Sequence, residues 1–297
     1  MEAQGRAETL KNYRLTVERL DLEYFMSSLS LKFLVLLSML CGACRIEDRF
    51  IFHPERVINR DPSQIGLAFE NVFFTTKDGL RLHGWVIPHQ ESRAILVWFH
   101  GNAGNISDRL LNIKLLHDNI KTDIFIFDYR GYGRSEGSVS EEGTYLDGEA
   151  AIQYLLGPRN TGARQLVLFG RSLGAAVAAE MANRFNSSGL ILESPFVSIR
   201  EMANAIFPAL PIGFLLRTRY DVIEKVRKLK APLLVLHGDR DEVVPFAQGK
   251  KVFDVAPQPK KFHRIVGASH NDTFIVGGEK YFRALREFIE STLASGS

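Results

Sequence analysis

Residues 165–185 read QLVLFGRSLGAAVAAEMANRF, and three patterns meet in that line. Gln165–Gly170 is a nearly continuous apolar run, as expected of a strand buried on both faces. From Ala175 onward the residues are alanine-rich helix formers. Between them, Gly170-Arg171-Ser172-Leu173-Gly174 is a G-x-S-x-G pentapeptide with a strand before it and a helix after it, the context that gives this motif meaning. A strand turning this sharply into a helix lifts the Ser172 side chain clear of the backbone. A Cβ at Gly170 or Gly174 is expected to clash where strand and helix fold back on each other, and Ala175 keeps that contact close. The turn also sets Ser172 at a helix N-terminus, where the dipole favours developing negative charge. Ser172 is therefore a candidate nucleophile.

Outward from this stretch, short apolar runs alternate with longer amphipathic ones. Glu70–Thr75 and Leu80–Pro88 read as strands joined at Lys77-Asp78-Gly79, an Asp-Gly hairpin signal. Ala94–His100, Thr122–Asp128, Gly189–Glu193 and Pro232–Gly238 are further apolar strands, and Lys261–Val266 is the last. Helical stretches fall near 106–118, 143–156, 173–186, 246–255 and 278–293. The pattern predicts an α/β fold: a doubly wound, mostly parallel sheet with an N-terminal antiparallel hairpin. Between Glu193 and Pro232 lie 38 residues, about twice what one crossover helix with its loops needs. The surplus, about 194–230, is expected to form a small helical lid or a core helix pair, and Ile206–Leu216 within it carries no charge.

Ligands of such sheets bind at the C-terminal ends of the strands. Pro232–Gly238 runs into His237-Gly238-Asp239-Arg240-Asp241-Glu242-Val243-Val244-Pro245. Asp241, deeper in that loop, is favoured as an acid over Asp239, a turn former, with Glu193 a third candidate. After the last strand comes Gly267-Ala268-Ser269-His270-Asn271-Asp272. His270 is the candidate base; His263 lies inside the strand, and the other six histidines precede Asp241. The chain order nucleophile, acid, histidine is the one that goes with a strand–G-x-S-x-G–helix setting. A histidine base must be neutral to accept a proton, and imidazole ordinarily titrates at about 6.5, so activity should favour mildly alkaline pH. At the end of Ala94–His100, the glycines of His100-Gly101-Asn102-Ala103-Gly104-Asn105 let backbone N–H groups face the site. The N–H groups of Asn102 and Leu173 are the candidate oxyanion donors. This loop has neither G-K-[ST] nor G-x-G-x-x-G, which argues against a nucleotide site. Asp128–Gly137 reads as a structural turn, with Arg130 pairing locally.

The whole chain has 297 residues, 45% hydrophobic and 24% charged, with 37 basic against 34 acidic side chains. That balance excludes a wholly disordered chain and gives no concentrated basic face for nucleic acid. The two cysteines are Cys41 and Cys44, so no disulfide or thiolate metal site is available after them. Residues 1–25 are a charged N-terminal extension. Phe33 to Ala43, FLVLLSMLCGA, is an uncharged run of 11 residues. That is shorter than the roughly 20 a spanning helix needs and suits a signal-peptide core. Read from Met26, residues 26–43 look like a bacterial lipoprotein signal with Cys44 as the lipidated residue. The alternatives are a short uncleaved anchor and a buried helix. Residues 44–297 would then be the catalytic domain, membrane-associated and outside the cytoplasm.

With these residues in place, the chain resembles the α/β-hydrolase superfamily, and within it the single-pass or lipid-anchored serine hydrolases called abhydrolase domain-containing membrane proteins, with bacterial relatives. The likeness rests on HGNAGN at 100–105, DYRGYGRSEG at 128–137, GRSLG at 170–174, HGDRDEVVP at 237–245 and SHND at 269–272, and covers roughly residues 50–293. It implies triad roles for Ser172, Asp241 and His270 and hydrolysis of a small-molecule or acylated ester or thioester, without metal or organic cofactor. The N-terminal segment would hold the enzyme at a membrane surface. Relatives that remove fatty acyl groups from protein cysteines carry a cysteine-rich front end, which Cys41 and Cys44 alone do not supply. A peptidase on the same fold, or a catalytically silent binding module, are the competing expectations.

Overall fold

Each of the eight apolar runs read as a strand becomes one. In the computed structural model they are β1 (Glu70–Thr75), β2 (Arg81–Ile87), β3 (Ile95–Phe99), β4 (Asp123–Phe127), β5 (Leu166–Arg171), β6 (Gly189–Glu193), β7 (Leu233–Gly238) and β8 (Lys260–Ile265). The structure describes Asp48, residues 51–207, Gly213 and residues 216–294. Contacts set Ile51–Ser297 apart as a unit of its own. The signal or anchor segment 26–43 and Cys44 lie outside the described residues, as do 208–212, 214 and 215 of the uncharged run. Among the described residues no helix is long and apolar enough to cross a membrane.

The strands form one sheet in the order β1-β2-β4-β3-β5-β6-β7-β8. β1 pairs antiparallel with β2, and β2 antiparallel with β4; every later pairing is parallel. β3, β5, β6 and β7 are buried along their whole length, while β1 buries only Val72 and Phe74. This is the difference between central strands covered on both faces and an edge strand covered on one. The helices are α1 (Leu110–Ile120), α2 (Glu141–Leu156), α3 (Leu173–Arg184), α4 (Ile199–Ile206), α5 (Val222–Arg227), α6 (Phe246–Val255), α7 (Thr273–Val276) and α8 (Gly278–Ala294). The chain runs from β3 outward to β4, then returns across β3 to β5. Right-handed crossovers therefore put α1 on one face of the sheet and α2 and α3 on the other. The packing agrees: α1 touches α8, whereas α2, α3, α5 and α6 touch in succession. The reversal of strand order lies at β3 and β5, which pair in register from Ile95↔Leu166 to Phe99↔Gly170. A crevice at such a switch point is where open α/β sheets bind ligands.

The elements differ from expectation chiefly at their ends, where side chains cap them. α2 starts at Glu141 because the Ser140 side chain accepts the Gly143 N–H at 3.1 Å. Ahead of α1, Ile106–Arg109 is a 3₁₀ turn, with Asn105 and Asp108 exchanging side-chain-to-backbone hydrogen bonds across it. The region 194–230 contains α4 and α5. Arg130 does not pair only locally. Its Nη1 and Nη2 donate to Asp78 at 2.8 and 3.0 Å, across 52 residues to the hairpin turn, and its Nε donates to buried Asp147 on α2 at 2.8 Å.

Candidate active site

Ser172 joins β5 to α3 with φ 52° and ψ −117°, a conformation a non-glycine residue holds only when its surroundings impose it. The surroundings are specific. The Ser172 N–H donates to the carbonyl of Glu193, at the end of β6, at 2.9 Å. A Cβ on Gly170 would come within 2.6 Å of the Ala178 Cβ and 2.7 Å of the Ala175 Cα, so this glycine lets strand and helix fold back on each other. Gly174 is needed for a different reason: a Cβ there would overlap the carbonyl of Phe99, on the neighbouring strand β3. Ser172 is half-buried at the first turn of α3.

The three carboxylates considered as acids have separate fates. Asp241 is buried, and its Oδ1 accepts the N–H groups of Val243 and Val244 at 3.0 and 2.7 Å. Its Oδ2 lies 2.8 Å from Nδ1 of His270 and 3.3 Å from Nε2 of His237. Burial alone raises the pKa of this carboxyl, but hydrogen bonds from His237, His270 and the Val244 N–H outweigh it and hold the group well below the usual carboxylate range. With Asp241 ionised, Nδ1 of His270 is the donor, which leaves Nε2 with its lone pair. Asp239 turns away, accepting the Gly267 N–H at 2.7 Å and Arg264 Nε at 2.9 Å, and these bonds lower its pKa. Glu193 is wholly buried and accepts hydroxyls from Thr273 at 2.5 Å and Tyr281 at 2.6 Å, with Arg171 Nε 3.1 Å away. Of the three, Asp241 is hydrogen-bonded to the His270 ring.

The loop after β3 reaches the serine from the other side. A Cβ on Gly101 would sit 3.6 Å from the Ser172 Cβ, so the backbone leading to Asn102 runs beside the candidate nucleophile. Among the described residues the N–H groups of Asn102 and Leu173 have no hydrogen-bond acceptor. The Asn102 side chain is fixed: its Oδ1 accepts the His53 N–H at 3.2 Å and the Tyr132 hydroxyl at 3.1 Å, and its Nδ2 donates to the Ile51 carbonyl. Gly104, at φ 75°, exchanges backbone hydrogen bonds with His53 and Glu55, while Asn105 Nδ2 donates to the carbonyls of Glu55 and Val57. Behind the loop, His100 is fully buried, and that burial, with the nearby Arg109, pulls its pKa down to about 3. Segment 51–57, without an assigned role in the sequence analysis, is thus the brace of this loop; the Pro in His53-Pro54-Glu55 is its one local mark of extended backbone. Sequence reading also missed His237 beside Asp241 and Arg171 beside the His270 loop. His237 stands four residues before Asp241, so that contact is local and the spacing His237-x-x-x-Asp241 was its signal. Arg171 had none, because it meets the His270 loop, 99 residues on, only through the strand order. Among the described residues no cluster of His, Cys, Asp and Glu could hold a metal ion.

Comparisons with known proteins bear on the family and the fold. Residues 90–215 match the family model described as serine aminopeptidase, S33. The alpha/beta hydrolase domain-containing protein WAV2 of Arabidopsis thaliana is 34% identical, over 77% of this chain and 81% of its own. The chain belongs to the α/β-hydrolase family. An uncharacterised membrane protein of Saccharomyces cerevisiae is 36% identical to this hydrolase, over 77% of this chain and 82% of its own. Among solved structures, the Pyrococcus furiosus esterase Pf2001 superposes with a TM-score of 0.67 at 22% identity, covering 81% of this chain and 97% of its own. The α/β-hydrolase fold expected from the motifs is therefore the one observed.

Proposed function

We propose that this α/β hydrolase is a serine hydrolase that cleaves carboxylic ester or thioester bonds through an acyl-enzyme. One observation carries the reading: the 2.8 Å hydrogen bond from His270 Nδ1 to an Asp241 held ionised in a buried loop, at the sheet end that also bears the strained Ser172 turn. Ser172 Oγ attacks the carbonyl carbon as His270 Nε2 takes its proton. Asp241 keeps the proton on Nδ1 and stabilises the imidazolium that forms. The negative oxygen of the tetrahedral intermediate is received by the N–H groups of Asn102 and Leu173. His270 then protonates the leaving alcohol or thiol. Water, deprotonated by the same nitrogen, releases the acid and restores Ser172.

Attachment at a membrane through residues 26–44 belongs to the same reading. It is supported by the uncharged run Phe33 to Ala43 and by the name of the yeast relative. Acylated substrates would then meet the site at the bilayer surface. The test is labelling of the full-length protein with a fluorophosphonate, beside hydrolysis of p-nitrophenyl esters from acetate to hexanoate, an acyl-thioester and an aminoacyl arylamide. Ser172-dependent labelling with ester or thioester turnover is expected. The description of the matching family model favours the arylamide as the competing substrate, and turnover of it alone would replace the esterase reading by a peptidase one. Labelling that persists in Ser172→Ala would remove the nucleophile.

A further inference from the structure

Arg171, the residue before Ser172, is buried, and its Nη2 donates to the His270 carbonyl at 2.6 Å and to the Asn271 side-chain oxygen at 3.1 Å. Its Nε lies 3.1 Å from the Glu193 carboxylate in an ion pair. Glu193 is Arg171's register partner across β5 and β6. Its backbone carbonyl holds the Ser172 N–H, and its side chain takes the hydroxyls of Thr273 and Tyr281, just beyond His270. One arginine–glutamate pair therefore grips both the serine turn and the histidine loop. The loop has other ties: Asp239 accepts the Gly267 N–H at 2.7 Å, the Ala268 carbonyl accepts the Arg240 N–H at 3.0 Å, and Asp241 holds the His270 ring at 2.8 Å. The His270 backbone itself is held by Arg171 at its carbonyl, while its N–H reaches Glu242 only at 3.4 Å. A buried ion pair is a poor source of stability, since well-packed apolar residues often serve as well or better. What this pair supplies is a fixed geometry, because the planar guanidinium points its donors toward the carboxylate and the carbonyl in set directions, whereas an ammonium is a point charge on a flexible stem with rotatable donors.

We infer that Arg171, held by Glu193, is the positioning residue that sets the His270 imidazole relative to Ser172. It touches no reacting atom and acts through the His270 backbone. The inference rests on the serine-hydrolase reading for its catalytic consequence but not for its structural one. The test compares the full-length wild type with Arg171→Lys. Lysine keeps a positive charge beside Glu193 and loses the fork. Four quantities are measured: melting temperature, kcat and KM for p-nitrophenyl butyrate, and the downfield proton resonance of the Nδ1–H shared with Asp241. The variant should stay folded, with kcat reduced about 10- to 100-fold, as misplacement on the ångström scale does. KM should change by less than about threefold, because the base is engaged only in the transition state. The downfield resonance should broaden into exchange with solvent. If Arg171→Lys does not fold, Glu193→Gln, which frees the guanidinium from its anchor, should show the same signature more weakly. A wild-type kcat, or a loss that merely tracks the folded fraction while the resonance stays sharp, would overturn the inference. If the wild type itself is neither labelled by fluorophosphonate nor active, the serine-hydrolase reading fails instead, and the resonance in the variant still decides whether Arg171 positions His270.

Discussion

Ser172 combines the proposed nucleophilic role with backbone strain, and the two can be separated by substitution. Its φ of 52° is imposed by the contacts of Gly170 and Gly174 and by the bond from its N–H to Glu193. Alanine would keep both the Cβ and the strain, so Ser172→Ala should fold like the wild type while losing roughly five to six orders of magnitude in rate, as other triads do. Glycine would release strain worth about 1–3 kcal/mol, less the roughly 0.4–1 kcal/mol by which it loosens the unfolded chain. Ser172→Gly should therefore be inactive yet more stable than Ser172→Ala by about 1 kcal/mol, read from urea midpoints. A less stable glycine variant would mean that the turn is unstrained. The acid is tested by rank. Asp241→Asn should lower kcat by roughly 10⁴-fold by favouring the wrong imidazole tautomer. Asp239→Asn, which disturbs only the turn to Gly267 and Arg264, should cost far less. The reverse order would move the acid to Asp239.

At the scale of elements, the central strands were legible because burial on both faces leaves an apolar run that sequence displays directly, as in Ile95–Phe99 and Leu233–Gly238. The edge strands β1 and β8 lack that burial and were legible from their short runs and flanking turns. Helix starts were less legible, since they turn on single caps such as Ser140. Ser172, Asp241 and His270 could be singled out because each follows a strand and the strand ends share one edge of the sheet. Arg130 reaching Asp78 and Arg171 reaching the His270 carbonyl were not legible. A buried guanidinium looks like any surface arginine until the topology says what faces it. Gly174 shows both sides of this. The motif demanded a glycine, but the crowding comes from Phe99 on β3, a partner known only once β3 lies beside β5. Gly174→Ala should therefore push α3 away from β3 and destabilise the protein by more than about 4 kcal/mol, in the range of severe core overpacking. Gly267→Ala, at φ 82° with nothing within 4 Å of a Cβ, should carry only its conformational penalty of about 1–2 kcal/mol. Thermal melts of the two variants check the ranking.

Over the whole molecule, Arg130 ties together parts of the chain that sequence keeps far apart, the β1–β2 turn through Asp78 and α2 through Asp147. The two carboxylates respond to it in opposite settings. Asp78 is largely exposed, and its hydrogen bonds from Arg130 and then Thr76 bring its pKa down to about 2. Asp147 is buried, and burial pushes its pKa up to about 7 although Arg130 pulls it down. Replacing Arg130 by Met strands the Asp147 charge in the interior, a loss of about 3–5 kcal/mol for one partner of a buried pair. Without the guanidinium, the folded-state pKa of Asp147 must rise further, while in the unfolded chain an aspartate stays at about 3.9. A carboxyl whose folded pKa is raised stabilises the fold below its unfolded value, and that contribution disappears as pH climbs through the folded one. The deficit of Arg130→Met should accordingly be largest near pH 8 and shrink toward pH 5, where Asp147 takes up a proton and no longer needs a partner. Asp78 adds in the same direction. Its depressed pKa stabilises the wild type above about 3.9 and fades as pH falls toward 2. Arg130→Met/Asp147→Asn, which has no charge to strand, should be more stable than the single variant at pH 8 and lose most of the pH dependence. Urea unfolding of all three proteins at pH 8 and pH 5 measures this. A deficit for Arg130→Met that is equal at both values would mean that Asp147 is not the group carrying the charge.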